Sequence, residues 1–254
     1  IEIEFMMKKY GRAPKLAIIL VGDDPASVQY VNSKKKSCSA IGIDCDLHIL
    51  PNSIRQEELI KVIEGLNQDD TIDAILVQLP VPKHIDRNAI LSAIDYRKDV
   101  DGLHPMNVGL LNSSQKGVIP CTPRGIISLL KEEGIEITGK HCVVIGRSNL
   151  VGKPMAQLML NENASVTICH SKTRDLAALT RQAEILIIAI GCPNLVTAEM
   201  LKEGAVVIDV GINNVDGKLV GDIYNSIDVS GIEKKAAAIS PVPGGVGPMT
   251  IASL

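Results

Sequence analysis

Tyr30 and Lys34 stand four residues apart in Pro25-Ala26-Ser27-Val28-Gln29-Tyr30-Val31-Asn32-Ser33-Lys34-Lys35-Lys36. On a helix they share a face, and Ser27, Val31 and Cys38 lie near the same stripe. Lys35 and Lys36 are rotated away by about 100° and about 200°. Helical geometry therefore selects Lys34 from the run as the inward lysine. A half-buried amine sheds its proton more readily and can serve as a base, whereas an isolated triple-lysine run reads as a solvated face. Gln78 closes the apolar run Ala74-Ile75-Leu76-Val77 just before Leu79-Pro80. The carboxyl ends of such strands are where open α/β sheets bind ligands, although a strand-end Gln also bonds readily to loop backbone. Asp101, in Lys98-Asp99-Val100-Asp101-Gly102, is either a carboxylate offered to a ligand or a turn former. None of the three reveals a function alone.

A second group lies further on. Gly146-Arg147-Ser148-Asn149-Leu150-Val151-Gly152-Lys153-Pro154 follows a strand-like run and precedes a helical one, the context in which small residues let the backbone approach a pyrophosphate. The spacing is not GxGxxG: Ser148 replaces the second glycine and the last comes one residue late, so a tight strand-to-helix turn explains the stretch equally well. At the end of the next strand an NAD site places an acid for the ribose hydroxyls. Here that position reads Cys169-His170-Ser171-Lys172. Ser171 and a lysine, with Arg147 in the first turn, suit a 2′-phosphate instead, which favours NADP over NAD. The competing reading is a few solvated surface residues.

The elements that must position these groups alternate along the chain, which gives an α/β fold. A strand is expected over 15–21. The Asp24-Pro25 start then opens a helix that runs to about Ile41 and ends at Gly42. A strand over 43–49, a helix over 55–66 and a strand over 74–79 complete a first βαβαβ set. The segment from Pro80 to Pro123, rich in Pro, Gly and Asn, reads as loop in its polar part, and the domain boundary is placed near Pro120. A helix over 122–133 leads to strands at 141–145, 165–169, 185–190 and 205–210, arranged as a doubly wound nucleotide-binding sheet. The division is thus 1–120 and 121–254, with no internal repeat.

Composition narrows the class. The 254 residues are 46% hydrophobic but only 2% aromatic, with no Trp and one Phe, so an ample core must be aliphatic, as parallel sheets are. A net charge of −3 argues against nucleic acid as a partner, since phosphate neutralisation needs a basic surface. No stretch reaches the roughly 18–20 apolar residues of a membrane span, and no signal peptide is evident. The six cysteines form no CxxC pair and no His stands at zinc-finger spacing, so no metal site is expected. They read as reduced thiols of a cytoplasmic protein.

Taken together, these residues resemble one family, the bifunctional methylenetetrahydrofolate dehydrogenase/cyclohydrolases. The likeness runs in order through Val21-Gly22-Asp23-Asp24-Pro25-Ala26-Ser27, Tyr30-Val31-Asn32-Ser33-Lys34, Val77-Gln78-Leu79-Pro80 and Lys98-Asp99-Val100-Asp101-Gly102. It continues through Pro120-Cys121-Thr122-Pro123, Gly146-Arg147-Ser148 and Cys169-His170-Ser171-Lys172-Thr173. The final stretch, Pro241-Val242-Pro243-Gly244-Gly245-Val246-Gly247-Pro248-Met249-Thr250, is the most specific of them.

The resemblance implies a folate-binding catalytic domain, a Rossmann-like NADP domain whose last residues return toward the first, and a folate cleft between the two. It implies oxidation of 5,10-methylenetetrahydrofolate to the methenyl compound and hydrolysis of that to 10-formyltetrahydrofolate. These reactions belong to one-carbon metabolism and serve purine biosynthesis. Lys34 looks like the cyclohydrolase lysine, Gln78 like its partner, Tyr30 like the ring that stacks on folate, and Asp101 like the carboxylate that holds the pterin. Ser27, Leu79, Pro80 and Pro243-Gly244-Gly245-Val246 look like further substrate-lining positions. Arg147 and Ser171 look like the 2′-phosphate contacts, with Gly146, Ser148 and the Ile212 backbone as other cofactor contacts. A homodimer is implied as well.

The chain departs from the family pattern at both ends, which look shortened, and Ser240 stands where the family usually has Thr. Three other readings remain: a dehydrogenase alone, a non-catalytic NADP- or folate-binding module, and an unrelated small-acid dehydrogenase on the same fold. Lys34 and Gln78 count against the first, the complete Tyr30, Lys34, Gln78 and Asp101 set against the second, and the Pro243–Val246 string against the third.

Overall fold

The computed structural model describes residues 2–223 and 229–254, and the chain divides into two compact units, one ending at Leu110 and one spanning Leu111–Leu254. In the first, α1 (Glu2–Tyr10) precedes β1 (Lys15–Val21), α2 (Pro25–Ala40), β2 (Asp44–Leu50), α3 (Gln56–Gln68), β3 (Ala74–Val77) and α4 (Arg87–Ala93); α5 (Pro105–Asn112) spans the division. The strands form a parallel sheet in the order β2-β1-β3. Alternation along β1 sends Ala17, Ile19 and Val21 to one face, where they cluster with Leu59, Ile63 and Leu66 of α3 and Ile90 of α4. Leu16, Ile18 and Leu20 are buried too, and α2 packs against β1 and β2.

The expected start of α2 is present. Asp24 accepts the Ser27 amide and the Ser27 hydroxyl, both at 2.9 Å, Pro25 opens the helix, and Gly42 follows its end at φ +85°. The segment from Pro80 to Pro123, expected as loop in its polar part, contains α4 and α5. Asp86 caps α4 by accepting the Asn88 amide at 2.8 Å, and His104 Nδ1 accepts the Met106 amide at 3.0 Å at the start of α5. Helices this short show too few turns for apolar periodicity to report them.

The second unit runs α6 (Cys121–Glu132), β4 (His141–Ile145), α7 (Gly152–Asn161), β5 (Ser165–Cys169), α8 (Leu176–Thr180), β6 (Ile185–Ile188), β7 (Val206–Asp209), β8 (Asn213–Val215), β9 (Lys218–Val220), α9 (Val229–Lys235), β10 (Ala238–Ile239) and α10 (Val246–Ser253). Its main sheet is parallel in the order β10-β7-β6-β4-β5. Cys142 and Val144 of β4 cluster with Ile126 and Leu130 of α6 and Met155 and Met159 of α7. Val143 and Ile145 cluster on the other face with Leu201 and with Ile232 of α9. The sheet is therefore covered on both sides, as parallel sheets are. The β8–β9 hairpin turns at Asp216 and Gly217, at φ +51° and +78°; the Asp-Gly pair is its sequence signal. Thr250 of α10 donates to the Thr122 hydroxyl of α6 at 3.0 Å. Among the described residues no helix is long and apolar enough to cross a membrane.

Candidate active site

In the first unit the α2 stripe separates as helical geometry requires. Lys34 is 8% exposed while Lys35 and Lys36 face solvent. The Lys34 Nζ donates to Gln78 Oε1 at 3.3 Å. Gln78 sits one residue past β3, where its backbone N–H still bonds Ile19 O at 2.9 Å. Its side-chain Nε2 donates to Leu79 O at 2.7 Å, which turns the Oε1 edge toward the lysine. Ser27 is buried on the same helix, and burial pushes the half-buried Tyr30 phenol above its ordinary value. Leu79 and Pro80 follow directly, joined by a cis peptide.

Asp101 comes to this group by a different route. Burial raises its carboxyl, the Lys34 charge draws it down, and Asp99 raises it again; the Lys34 effect places the carboxylate in the field of the amine. Two anchors that the motif alone does not explain hold its loop. Lys98 donates to the carbonyls of Leu66, Asn67 and Asp69 at 3.1, 2.9 and 2.8 Å, capping the carboxyl end of α3, where a cation complements the helix dipole. Asp99, 1% exposed, accepts the His104 amide at 2.8 Å and the Asn107 side chain at 2.9 Å. Both lie at an isolated parallel bridge from Ile75 to Asp99, and neither is singled out by the sequence.

In the second unit the predicted cofactor residues gather at the carboxyl end of the sheet. The chain order reverses between β4 and β6, the crevice where doubly wound sheets hold dinucleotides. Ile145 and Cys169 are register partners, so Arg147 and Ser171, each two residues further on, leave adjacent strands side by side. His170 bonds Thr173 through both main-chain groups, its amide to Thr173 Oγ1 and its carbonyl from the Thr173 amide, each at 2.8 Å. That turn carries Ser171 exposed at its tip. The exposed Ile212 follows β7, and Pro243, Gly244, Gly245 and Val246 lie between β10 and the first residue of α10.

The loop after β4 fits a dinucleotide. Gly146 has φ +129°, and a Cβ there would stand 2.2 Å from Ala189 O. On Gly152 a Cβ would meet Gly146 O at 2.3 Å. Backbone, not side chains, therefore lines this turn, as close approach to a pyrophosphate demands. Ser148 takes the place of a glycine by accepting the amides of Val151 and Gly152 at 3.1 and 3.3 Å, which leaves its O–H to donate outward. Gly152→Ala is expected to force the loop off the helix start, lowering stability by about 1–3 kcal/mol and weakening NADP; thermal melting with and without NADP checks both.

Comparison with known proteins identifies the family. The family description "Tetrahydrofolate dehydrogenase/cyclohydrolase, catalytic domain" matches residues 1–101, and "Tetrahydrofolate dehydrogenase/cyclohydrolase, NAD(P)-binding domain" matches residues 120–254. The bifunctional protein FolD of Exiguobacterium sibiricum is 54% identical over 248 residues, covering 98% of this chain and 88% of that protein. The crystal structure of the bifunctional FolD enzyme of Campylobacter jejuni superposes with a TM-score of 0.94 at 50% identity, over 99% of this chain and 89% of that one. The Trypanosoma brucei dehydrogenase-cyclohydrolase, solved with NADP cofactor and inhibitor, has a TM-score of 0.92 at 40% identity, over 99% and 88%. The chain belongs to the tetrahydrofolate dehydrogenase/cyclohydrolase family.

Proposed function

We propose that this chain oxidises 5,10-methylenetetrahydrofolate with NADP and hydrolyses the methenyl product to 10-formyltetrahydrofolate, with the residues assembled above as its site. The observation that carries the residue assignment is the buried Lys34 amine held 3.3 Å from Gln78 Oε1. NADP, when bound, supplies the hydride acceptor. Arg147 and Ser171 hold its 2′-phosphate, and the Gly146–Gly152 turn and the Ile212 backbone hold the rest. The protein's part in the oxidation is orientation, because the folate nitrogens themselves stabilise the cation left behind.

Hydrolysis asks more of the side chains. A water oxygen bonds to the methenyl carbon and gives one proton to Lys34; the bond from that carbon to N5 then breaks as the remaining hydroxyl proton leaves and the formyl C=O forms, N5 taking up one proton and the other passing to solvent. Gln78 aims the amine, Tyr30 stacks on the folate ring, and the Asp101 carboxylate accepts from the pterin donor edge. Ser27, Leu79 and Pro80 line the substrate. The protein acts in the cytoplasm as a homodimer and supplies formyl groups for purine biosynthesis; six free cysteines support a reducing compartment.

Purified protein given methylenetetrahydrofolate with NADP or NAD tests this reading, with reduced cofactor, methenyl and 10-formyl products followed separately. Both products with NADP are expected. Methenyl product alone would leave only the dehydrogenase, and no turnover would leave a binding module.

A pH dependence follows from Asp101. Its ionised form accepts from the pterin, and its carboxyl is raised, so it protonates at a higher pH than the ordinary Asp value of about 3.9. The KM for methenyltetrahydrofolate is therefore expected to rise as pH falls through that elevated range. In Asp101→Asn that acid limb should vanish, with KM high throughout; a wild-type KM flat on the acid side removes Asp101 from the pterin site.

A further inference from the structure

A dinucleotide whose adenosine end sits at β5 must extend across the sheet toward β6 and β7, so the loops leaving those two strands border its nicotinamide half. Two buried carboxylates, neither marked by any motif, hold both loops. Asp222, 0% exposed, lies just beyond β9. Its Oδ2 accepts the amides of Ile190 and Gly191, after β6, at 2.9 and 3.1 Å. Its Oδ1 accepts the Asn213 side-chain amide, after β7, at 3.0 Å. Asp209, 3% exposed at the end of β7, accepts the Gly211 and Asp222 amides on Oδ1 at 3.0 and 2.9 Å. Its Oδ2 accepts the Ile223 amide at 2.9 Å.

The packing leaves no slack. A Cβ on Gly211 would lie 2.2 Å from the Asp222 carboxyl carbon, and one on Gly221 would lie 2.0 Å from Asp209 Oδ2. Burial and the Asp222 charge raise the Asp209 carboxyl while its three backbone donors draw it down. Bonds from amides to carboxylates are among the stronger hydrogen bonds in proteins, and this set ties two loops from different strands to one side chain.

We propose that Asp222 is a positioning residue for the nicotinamide half of the cofactor, fixing the Ile190–Gly191 backbone directly and the Ile212–Asn213 segment through the Asn213 side chain at the separation that half requires. This rests on the NADP reading above. A misplacement of about 1 Å at such a site is enough for a loss of order 10²-fold, so the clasp acts on ligand affinity and hydride geometry and leaves the adenosine end alone.

The test is calorimetric titration of the full chain with NADP and, separately, with 2′-phospho-ADP-ribose, which lacks nicotinamide. Asp222→Asn keeps an acceptor for the two loop amides but removes the charge. Its NADP Kd is expected to rise about tenfold or more, the range of a charge-assisted hydrogen bond, with the fragment unchanged. Equal weakening of both ligands, or no weakening of NADP, overturns the proposal. If wild type binds neither ligand, the NADP reading itself fails. Should Asp222→Asn not fold, Asn213→Ala deletes one donor to the clasp and keeps the others. It should weaken NADP about threefold and spare the fragment, and a uniform effect overturns the proposal there too.

Discussion

Lys34→Met is expected to lose methenyl hydrolysis by a factor of about 10²–10⁴, the contribution of a positioned acid or base, while hydride transfer to NADP persists. Met fills the volume of the lysine stem and removes only the amine, so Gln78 keeps its bond to Leu79 O and α2 keeps its cap. Separate rates for reduced cofactor and for 10-formyl product decide the matter in one preparation. Equal loss of both rates in a folded variant makes Lys34 a general binding residue and not the hydrolytic base. The rotated neighbours provide the control: Lys35→Met and Lys36→Met, on exposed positions, should leave hydrolysis unchanged.

Arg147→Ala is expected to weaken NADP by about tenfold to a hundredfold, the span of charge-assisted hydrogen bonds to a phosphate, and to leave NAD nearly unchanged. The ratio of kcat/KM for the two cofactors therefore collapses toward unity. Ser171→Ala should move the ratio the same way by less, since it removes one neutral donor. An unchanged ratio in both variants would take the 2′-phosphate away from the end of β5 and require another cation for it. The register of Ile145 with Cys169 brings the two residues off adjacent strand ends, and on the proposed assignment to one phosphate their effects should not add.

What the sequence disclosed and what it hid separate along physical lines. Strands β1, β4 and β5 were legible to the residue: the aliphatic stretches of β1 and β4 have few other solutions in a chain so poor in aromatics, and β5, Ser165-Val166-Thr167-Ile168-Cys169, is rich in β-branched residues. Lys34 was legible because rotation per residue distinguishes it from Lys35 and Lys36 before any coordinate is known. The shortest elements were not, α4 and α5 because a helix of two turns carries little periodicity. Asp222 and Asp209 were hidden for a different reason. Their partners are main-chain amides, which have no identity in a sequence, and the strands that bring Ile190 beside Asp222 are separated by a long stretch of chain. Lys98 was hidden in the same way, since its three acceptors are carbonyls.

That last arrangement restricts which lengths of chain are acceptable. Apart from the buried Ile72, the turn joining α3 to β3 is exposed and polar, the kind of place where insertions are usually absorbed. Here its carbonyls at Asn67 and Asp69 grip Lys98, three residues before the carboxylate assigned to the pterin. An added residue there would withdraw the acceptors and release the segment bearing Asp101. A turn that touches no ligand is thereby closed to insertion and deletion, while its exposed position Asp70 remains open to side-chain substitution.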